Sequence, residues 1–596
     1  MLDVLICGAG PVGSFFANLM DQFGHDYRII DSETPEARHG QSRALLLTAR
    51  SLEIMEDRGL SGELLSHAVI PRGLRLHSDS KQITELEMKD VDSLYGHITV
   101  IPQWRIEDTL QHRLTKKVER PVKLISYVQE SDHVVAKLQH GDNEDNVEEV
   151  KARFLVGSDG VHSAVRKGTP GWTFDGAVFN VPFVLADVTF TGDKLPDIRY
   201  GNFINTKHGV LMMLPLLDRA GEKLITRVVL NIDPTGSPDG KNDLTSLDKK
   251  EAVSQGIQKD QSITLEQLQE MIDQRSGAFK MKAENPQWLA KFRVNERKAN
   301  GFRRGRCFIV GGKVYFKCGT YAAHCHSPAG GQGMNLGLQD AYSLAWKISS
   351  VLNNAAKNPE ELLDSYYDER TPYIDATIEA SGKVARNMVA PSMTADFLRS
   401  YVLPLALNIP SLHNKFGHIV QQLYVTIPST SKVLAKKSAS AIIEPGQYMK
   451  ESGTLIPKDT MSRSPQTIRS ILRKSDRYIA LLVWNQAGDD DASESFWNLL
   501  KSYKKFVRPV IVLSKNNIFR YRIPEYARDS VYAEDGFWCD NKGELAHALG
   551  VEHDHAGIIL IRPDMYIAFS ESYDGKKEIP LRSFESYLFS QLNPEQ

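Results

Sequence analysis

Residues 3–33 read DVLICGAGPVGSFFANLMDQFGHDYRIIDSE, and the order of features within them decides how the chain begins to fold. Asp3 to Cys7 is a β-rich apolar run. Gly8, Gly10 and Gly13 follow it at G-x-G-x-x-G spacing, with Pro11 between the last two. Apolar residues then recur at helical intervals as far as Leu19 and Met20, and Gly24 is a natural helix stop. A second strand, Tyr27 to Ile30, ends at Asp31. Each glycine has a physical task in such a unit: Gly8 permits a tight turn, Gly10 lets the backbone approach a pyrophosphate, and Gly13 lets the helix pack close to the strand. The helix N-terminus offers free N–H groups to phosphates, and Asp31 can accept hydrogen bonds from an adenosine ribose. The stretch predicts a dinucleotide-binding βαβ unit and, taken alone, leaves NAD, NADP and FAD open.

The rest of the composition is that of an ordinary globular chain. Its 596 residues suffice for two to four domains, with 41% hydrophobic and 24% charged residues. A formal net charge of -2 without a long basic run argues against a nucleic-acid partner. No uninterrupted apolar stretch is long enough to span a bilayer, and MLDVLICGAG enters a strand and a glycine loop at once. The five cysteines, Cys7, Cys307, Cys318, Cys325 and Cys539, are odd in number and sparse, which suits a reducing compartment. The expectation is a soluble, cytoplasmic, multidomain protein.

Four further stretches narrow the ligand. RFLVGSDGVHSAVRKG places Asp159 and Gly160 after an apolar strand, with Ser163 and Arg166 beyond. IPQWRIEDTLQHRL puts Gln103 ahead of a helix containing Glu107 and Leu110. HSPAGGQGMNLGLQDAYSLAWKI is a glycine loop, with Gly330, Gly331 and Gly333, running into a helix from Met334 to Ile348 with one buried stripe. Such glycines let backbone N–H groups approach a flat ring, and the helix's positive end would stabilise negative charge on it. Together with SRALLLTARSLEIM (Arg43 to Met55), these motifs resemble the FAD-dependent aromatic hydroxylases, the class A flavoprotein monooxygenases that include para-hydroxybenzoate hydroxylase and phenol 2-monooxygenase. The resemblance covers nearly the whole chain, with the motifs in the family's order.

The resemblance implies residue roles. Gly8, Gly10, Pro11 and Gly13 would hold the FAD pyrophosphate and Asp31 the adenosine ribose; Arg50 and Gln103 would line the flavin cleft. Asp159 and Gly160 match the family's Asp-Gly fingerprint, and Pro328, Gly331, Gly333, Met334 and Asn335 would lie beside the isoalloxazine ring. NAD(P)H, with NADPH favoured, would reduce FAD as a visiting co-substrate, in keeping with a single strand-borne glycine triplet. O2 would then yield a flavin C4a-hydroperoxide that hydroxylates a phenolic or polyketide-type aromatic ring. Epoxidation and Baeyer–Villiger oxygen insertion run on the same fold, and no residue identifies a catalytic base. The halogenase signature W-x-W-x-I-P is absent. A flavin-free NAD(P)-dependent dehydrogenase is the remaining enzymatic rival.

The expected fold is α/β plus α+β. A Rossmann-like FAD-binding domain (1–180 and 298–375) carries an inserted antiparallel-sheet substrate domain (181–297), seen in FVLADVTF, GVLMMLPLL and LITRVVLNI. The apolar VLMMLPLL suits either an aromatic-substrate pocket or an ordinary sheet core; Arg227 lies on a strand that could face that pocket, with a surface position the favoured expectation. The charged stretch Asp239 to Gly277 is expected to be a solvated insertion carrying the helix TLEQLQEMI. A helical connection (376–437) leads to a thioredoxin-like domain (438–596), whose β-α-β…α-β-β-α order resembles that at the end of phenol 2-monooxygenase relatives. It lacks C-x-x-C, so its expected role is structural, at a homodimer interface.

One departure from the family stands out. The family follows FIVG with Asp-Ala-Ala-His, whose aspartate contacts the ribityl chain, whereas this chain reads FIVGGKVYFKCGTYAAHCHSP. Tyr321 stands at the aspartate's position, behind the additional residues Gly312 to Thr320. The segment reads either as an outward loop that leaves FAD bound or as translated intron that impairs flavin binding. Losing one such hydrogen bond costs about 0.5–1.5 kcal/mol; displacing the helix start would cost far more. Cys318, His324, Cys325 and His326 cluster here, but their spacing fits no common zinc motif, and no metal is expected.

Overall fold

The computed structural model describes residues 1–34, 44–78, 81–87, 91–160, 162–206, 208–232, 263–311, 322–325, 332–389, 409–457, 464–473, 475–485, 490–514, 525, 536–574 and 581–594. Arg43, Gly312 to Tyr321, His326, Pro328, Gly330, Gly331 and most of the 239–277 stretch lie outside them. Strand β1 (Leu2–Cys7), helix α1 (Pro11–Gln22) and strand β2 (Tyr27–Ile30) form the βαβ unit read from the opening stretch. β1 runs parallel to β2 on one side and to strand Val147–Gly157 on the other, which pairs in parallel with Cys307–Ile309. Val4, Leu5 and Ile6 of β1 and Phe15, Phe16 and Leu19 of α1 are fully buried, so the apolar periodicities of strand and helix meet in one core. Helix Gly333–Leu352 packs beside α1. It begins one residue before and ends one turn beyond the expected span, and it is buried nearly all round rather than along one stripe. The reason is that the C-terminal module covers its second face: Tyr478 meets the Trp346 ring edge-on, and Asp564 accepts from Trp346 Nε1 at 2.8 Å.

A second, mainly antiparallel sheet runs in the order His324–Cys325, Lys280–Ala299, Phe174–Lys194, Leu224–Asn231, Gly209–Leu217, Gly201–Thr206, Leu74–Ser78, Lys81–Leu86. Its last two strands come from the first hundred residues, where short polar-apolar alternation gives little sequence signal. Helix Leu265–Asp273, held at its start by a Thr264–Gln267 capping box, lays Leu268 and Ile272 on one face against Val184, Ala186, Leu211, Met213, Val228 and Leu230. The described part of the charged stretch is thus anchored to the sheet.

Strand alternation then assigns the opposite face to Leu185, Asp187, Met212, Leu214, Ile225, Arg227 and Val229. On that face Leu214, Leu216 and Ile225 pack with Leu45, Ile98 and Val100 of the nucleotide-binding part. Arg227 is 1% exposed, which corrects the surface expectation. The cause is its direct cross-strand neighbour Asp187, which receives Arg227 Nε and, at 2.7 Å, Nη2, while the guanidinium lies 5.1 Å from the Trp288 ring centre.

In the C-terminal part, Tyr478–Trp484 lies parallel to Val507–Ser514 and antiparallel to His555–Ile561, which pairs with Ile567–Asp574. Helices Asp490–Lys501, Glu544–Leu549 and Leu581–Gln591 complete the expected element order, and strands Phe537–Asp540 and Thr454–Pro457 widen the sheet beyond it. Two buried ionic clusters join this module to the rest. Glu369, on helix Pro359–Val389, accepts from Arg562 Nη1 and Nη2 at 2.8 and 3.0 Å, from Lys347 Nζ at 2.9 Å and from Ser431 Oγ at 2.8 Å. Asp57 accepts from Arg469 Nη2 and Tyr448 Oη, both at 2.6 Å.

Candidate functional site

The glycine loop is shaped by contacts that only glycine allows. Gly8 has φ +97°, and a Cβ there would stand 2.5 Å from the Ser158 carbonyl oxygen; a Cβ on Gly13 would stand 2.0 Å from Gly8 O. Ser158 Oγ donates to Gly8 O at 2.7 Å, fastening the Asp-Gly loop to the glycine loop. Asp31, at the end of β2, accepts from Ala9 N at 2.6 Å and from Glu33 N at 2.9 Å. Its carboxylate therefore shapes the glycine turn directly. Gly10 caps α1 with no side-chain hydrogen bond, and Pro11 occupies the first turn, where its missing N–H costs nothing.

Two residues absent from the sequence reading converge here. Gln111 Nε2 donates to Ala9 O at 2.8 Å, and Arg120 donates to Ala9 O at 3.4 Å and to Gln111 Oε1 at 3.0 Å. Gln111 lies one turn beyond Glu107 on helix Gln103–His112, and that spacing is its only local signal.

Asp159 accepts from Ser163 Oγ and from the N–H groups of Ala164 (2.7 Å) and Val165 (3.3 Å), so it caps the short helix Ala164–Gly168. Burial pushes its pKa up, against the opposing pull of these donors. Gly160, at φ +91°, makes the turn that returns Ser163 N to its carbonyl at 2.8 Å.

Gln103 and Arg50 are both buried. Gln103 accepts from Ala44 N at 3.2 Å and donates to Glu107 at 2.6 Å. Arg50 Nη1 donates to Glu53 at 2.8 Å, and its guanidinium lies 3.6 Å from the Tyr448 ring centre, so it bridges the nucleotide-binding part and the C-terminal module.

Beside the second loop, Gly333 opens the Gly333–Leu352 helix behind Gln332, again without a side-chain cap, and Met334 and Asn335 are buried in its first turn. Asn335 accepts from Thr48 N at 3.0 Å and donates to Leu46 O at 2.9 Å, tying this helix to the segment leading into helix Ala49–Asp57. Further along, Asp340 accepts from His324 Nε2 at 2.7 Å, Arg370 Nε at 2.8 Å and Gly311 N at 3.3 Å. Burial alone would raise the Asp340 pKa, but Arg370 and His324 outweigh it and hold the carboxyl low. Gly311 O accepts from Ala323 N at 3.3 Å and His324 N at 3.4 Å. The chain thus leaves and rejoins this seam at one point.

The donor set fits an FAD. Two helix N-termini are uncapped by side chains, and at the first of them Gly8 and Gly13 are so tightly packed that backbone must face any ligand; such ends favour a pyrophosphate and an electron-rich ring. Among the described residues no cluster of His, Cys, Asp or Glu has metal-site geometry, and no helix is long and apolar enough to cross a membrane. A profile of the family described as FAD binding domain matches residues 1–381. The chain belongs to the FAD-dependent aromatic hydroxylases. It is an FAD-dependent monooxygenase. It is similar to rifampicin monooxygenase of Rhodococcus hoagii, at 31% identity over 377 residues, 62% of this chain and 68% of that one. It also resembles phenol 2-monooxygenase fsqG of Aspergillus fumigatus, at 26% identity over 97% of this chain and 95% of that protein. Among solved structures, OxyS anhydrotetracycline hydroxylase from Streptomyces rimosus superposes with a TM-score of 0.70 at 22% identity over 100% of both chains, which speaks to the fold.

Proposed function

We propose that this monooxygenase hydroxylates a phenolic or polyketide-type aromatic ring lodged between the antiparallel sheet and the Gly333 loop, with NADPH and O2 as co-substrates. The carrying observation is the inner face of that sheet. Phe203, Met212, Val229 and Leu185 form a cross-strand row on it, and all but Leu185 are only partly buried. The same face meets the segment around Leu46 that Asn335 holds. FAD, reduced by NADPH and reacting with O2, supplies the electrophilic oxygen. The chain's own residues do the rest: Gly8, Gly10, Gly13 and the α1 N-terminus bind the pyrophosphate, Asp31 the ribose, and the Gly333 helix polarises the ring system. The apolar sheet face excludes water and orients the aromatic ring.

The Gly311 seam supports FAD retention despite the 312–321 insertion, because the helix start beyond it stays tied to Thr48, Leu46 and Arg370. In the same reading the domains divide at 1–180 with 298–375, 181–297, 376–437 and 438–596. The last is thioredoxin-like, which its strand order and three helices support, and serves as a structural module at a homodimer contact. The test is the visible spectrum of the purified protein followed by oxygen uptake with NADPH and a phenol panel. Stoichiometric FAD and phenol-stimulated uptake are expected; a protein that stays colourless after incubation with FAD refutes the reading.

A further inference from the structure

The sheet face assigned to the aromatic ring carries one buried ion pair, and its electrostatics bear on the substrate's charge. Arg227 and Asp187 are direct cross-strand partners, joined by both Nε and Nη2, with Trp288 opposite Asp187 on the next strand. Two residues along, about 7 Å away at strand rise, lies the row Leu185–Val229–Met212–Phe203. That row crosses three inter-strand gaps, about 14 Å in all, enough for several fused rings side by side. A lone guanidinium there would attract an aromatic carboxylate. This one is already matched by a carboxylate of its own, so the pair presents a local dipole with no net charge. Seating a second carboxylate beside Asp187 would leave one anion unmatched in a dry place.

We infer, building on the function proposed above, that the substrate is an uncharged, flat, fused-ring phenol, and that the charge balance between Arg227 and Asp187 sets this specificity by denying an aromatic carboxylate an unmatched cation. Replacing a buried pair by apolar residues is commonly neutral or stabilising. A double Arg227→Met, Asp187→Leu variant therefore tests the charge without demanding the pair for folding.

The experiment titrates the FAD-loaded protein with 2-naphthol and with 6-hydroxy-2-naphthoate and follows the flavin absorbance. Wild type is expected to bind 2-naphthol at least tenfold more tightly. Asp187→Asn, which leaves Arg227 unmatched, lowers that ratio at least tenfold, and Arg227→Gln raises it; the double variant stays within about threefold of wild type. Equal or tighter binding of the carboxylate by wild type overturns the inference. So does a ratio unmoved in whichever single variant folds, or binding of neither probe. A chain without FAD fails earlier and refutes the proposed function; lost selectivity with FAD in place counts against this inference alone.

Discussion

Replacing Glu369 by glutamine should loosen the C-terminal module. The Glu369 carboxylate is fully buried and takes four donors, from Lys347, both Nη atoms of Arg562, and Ser431. With Asp564, which receives Arg562 Nη2 at 2.6 Å, the cluster holds two cations and two anions. Glutamine keeps the shape but leaves one buried positive charge in excess, and its amide N–H groups meet donors. Breaking a buried ion pair in this way costs about 3–5 kcal/mol. With a urea slope of ~3 kcal/mol per M, the unfolding midpoint should fall by roughly 1–1.7 M. Trp346, whose ring centre lies 4.8 Å from Arg562 Cζ, should contribute a fluorescence change to that transition. Arg562→Met alone should behave similarly, and the double variant should recover part of the loss because it is again charge-balanced. A Glu369→Gln midpoint within about 0.2 M of wild type, or a double variant with purely additive losses, would refute the reasoning.

Acid should expose the same cluster. Burial alone would raise the Glu369 pKa, but Arg562 and Lys347 hold it at about 2. Its contribution is therefore complete above the ordinary carboxyl range and lost as pH falls from about 4.5 towards 2, on the order of 3 kcal/mol, measurable as a lower urea midpoint at pH 3 that Glu369→Gln no longer shows. Gly13→Ala should abolish FAD retention, since the new methyl would meet Gly8 O at 2.0 Å; the flavin content of the purified variant checks this. Asp340→Asn leaves Arg370 unmatched in the interior and should release FAD at a clearly lower temperature, followed by flavin fluorescence on heating. Burial pushes the thiols of Cys307 and Cys325 up to about 12 and raises Cys7 as well, so all three should resist iodoacetamide at pH 8 until urea is added.

What was legible in the sequence was local. Gly8, Gly10, Gly13 and Asp31 announce their unit because strand, turn, helix and acid sit within thirty residues. Gln111 and Arg120 could not be found that way, since they reach Ala9 from a distant helix and a loop and match no motif. Arg227 misled for the converse reason. A charged residue in an alternating strand is ordinarily solvated, and the aspartate that permits its burial lies forty residues earlier, on a neighbouring strand. Asp340 matches no motif in the sequence, although it holds Gly311, His324 and Arg370 together. Its partners come from three parts of the chain.

The Gly311 seam makes this protein a natural acceptor for inserted sequence. Because Gly311 O meets the N–H groups of Ala323 and His324, whatever chain intervenes is closed at its base by the host fold. Lengthening such a loop costs only about 0.6 kcal/mol per doubling. A peptide tag or small reporter domain, placed between Gly311 and Ala322, would be carried on a base that these two hydrogen bonds already close.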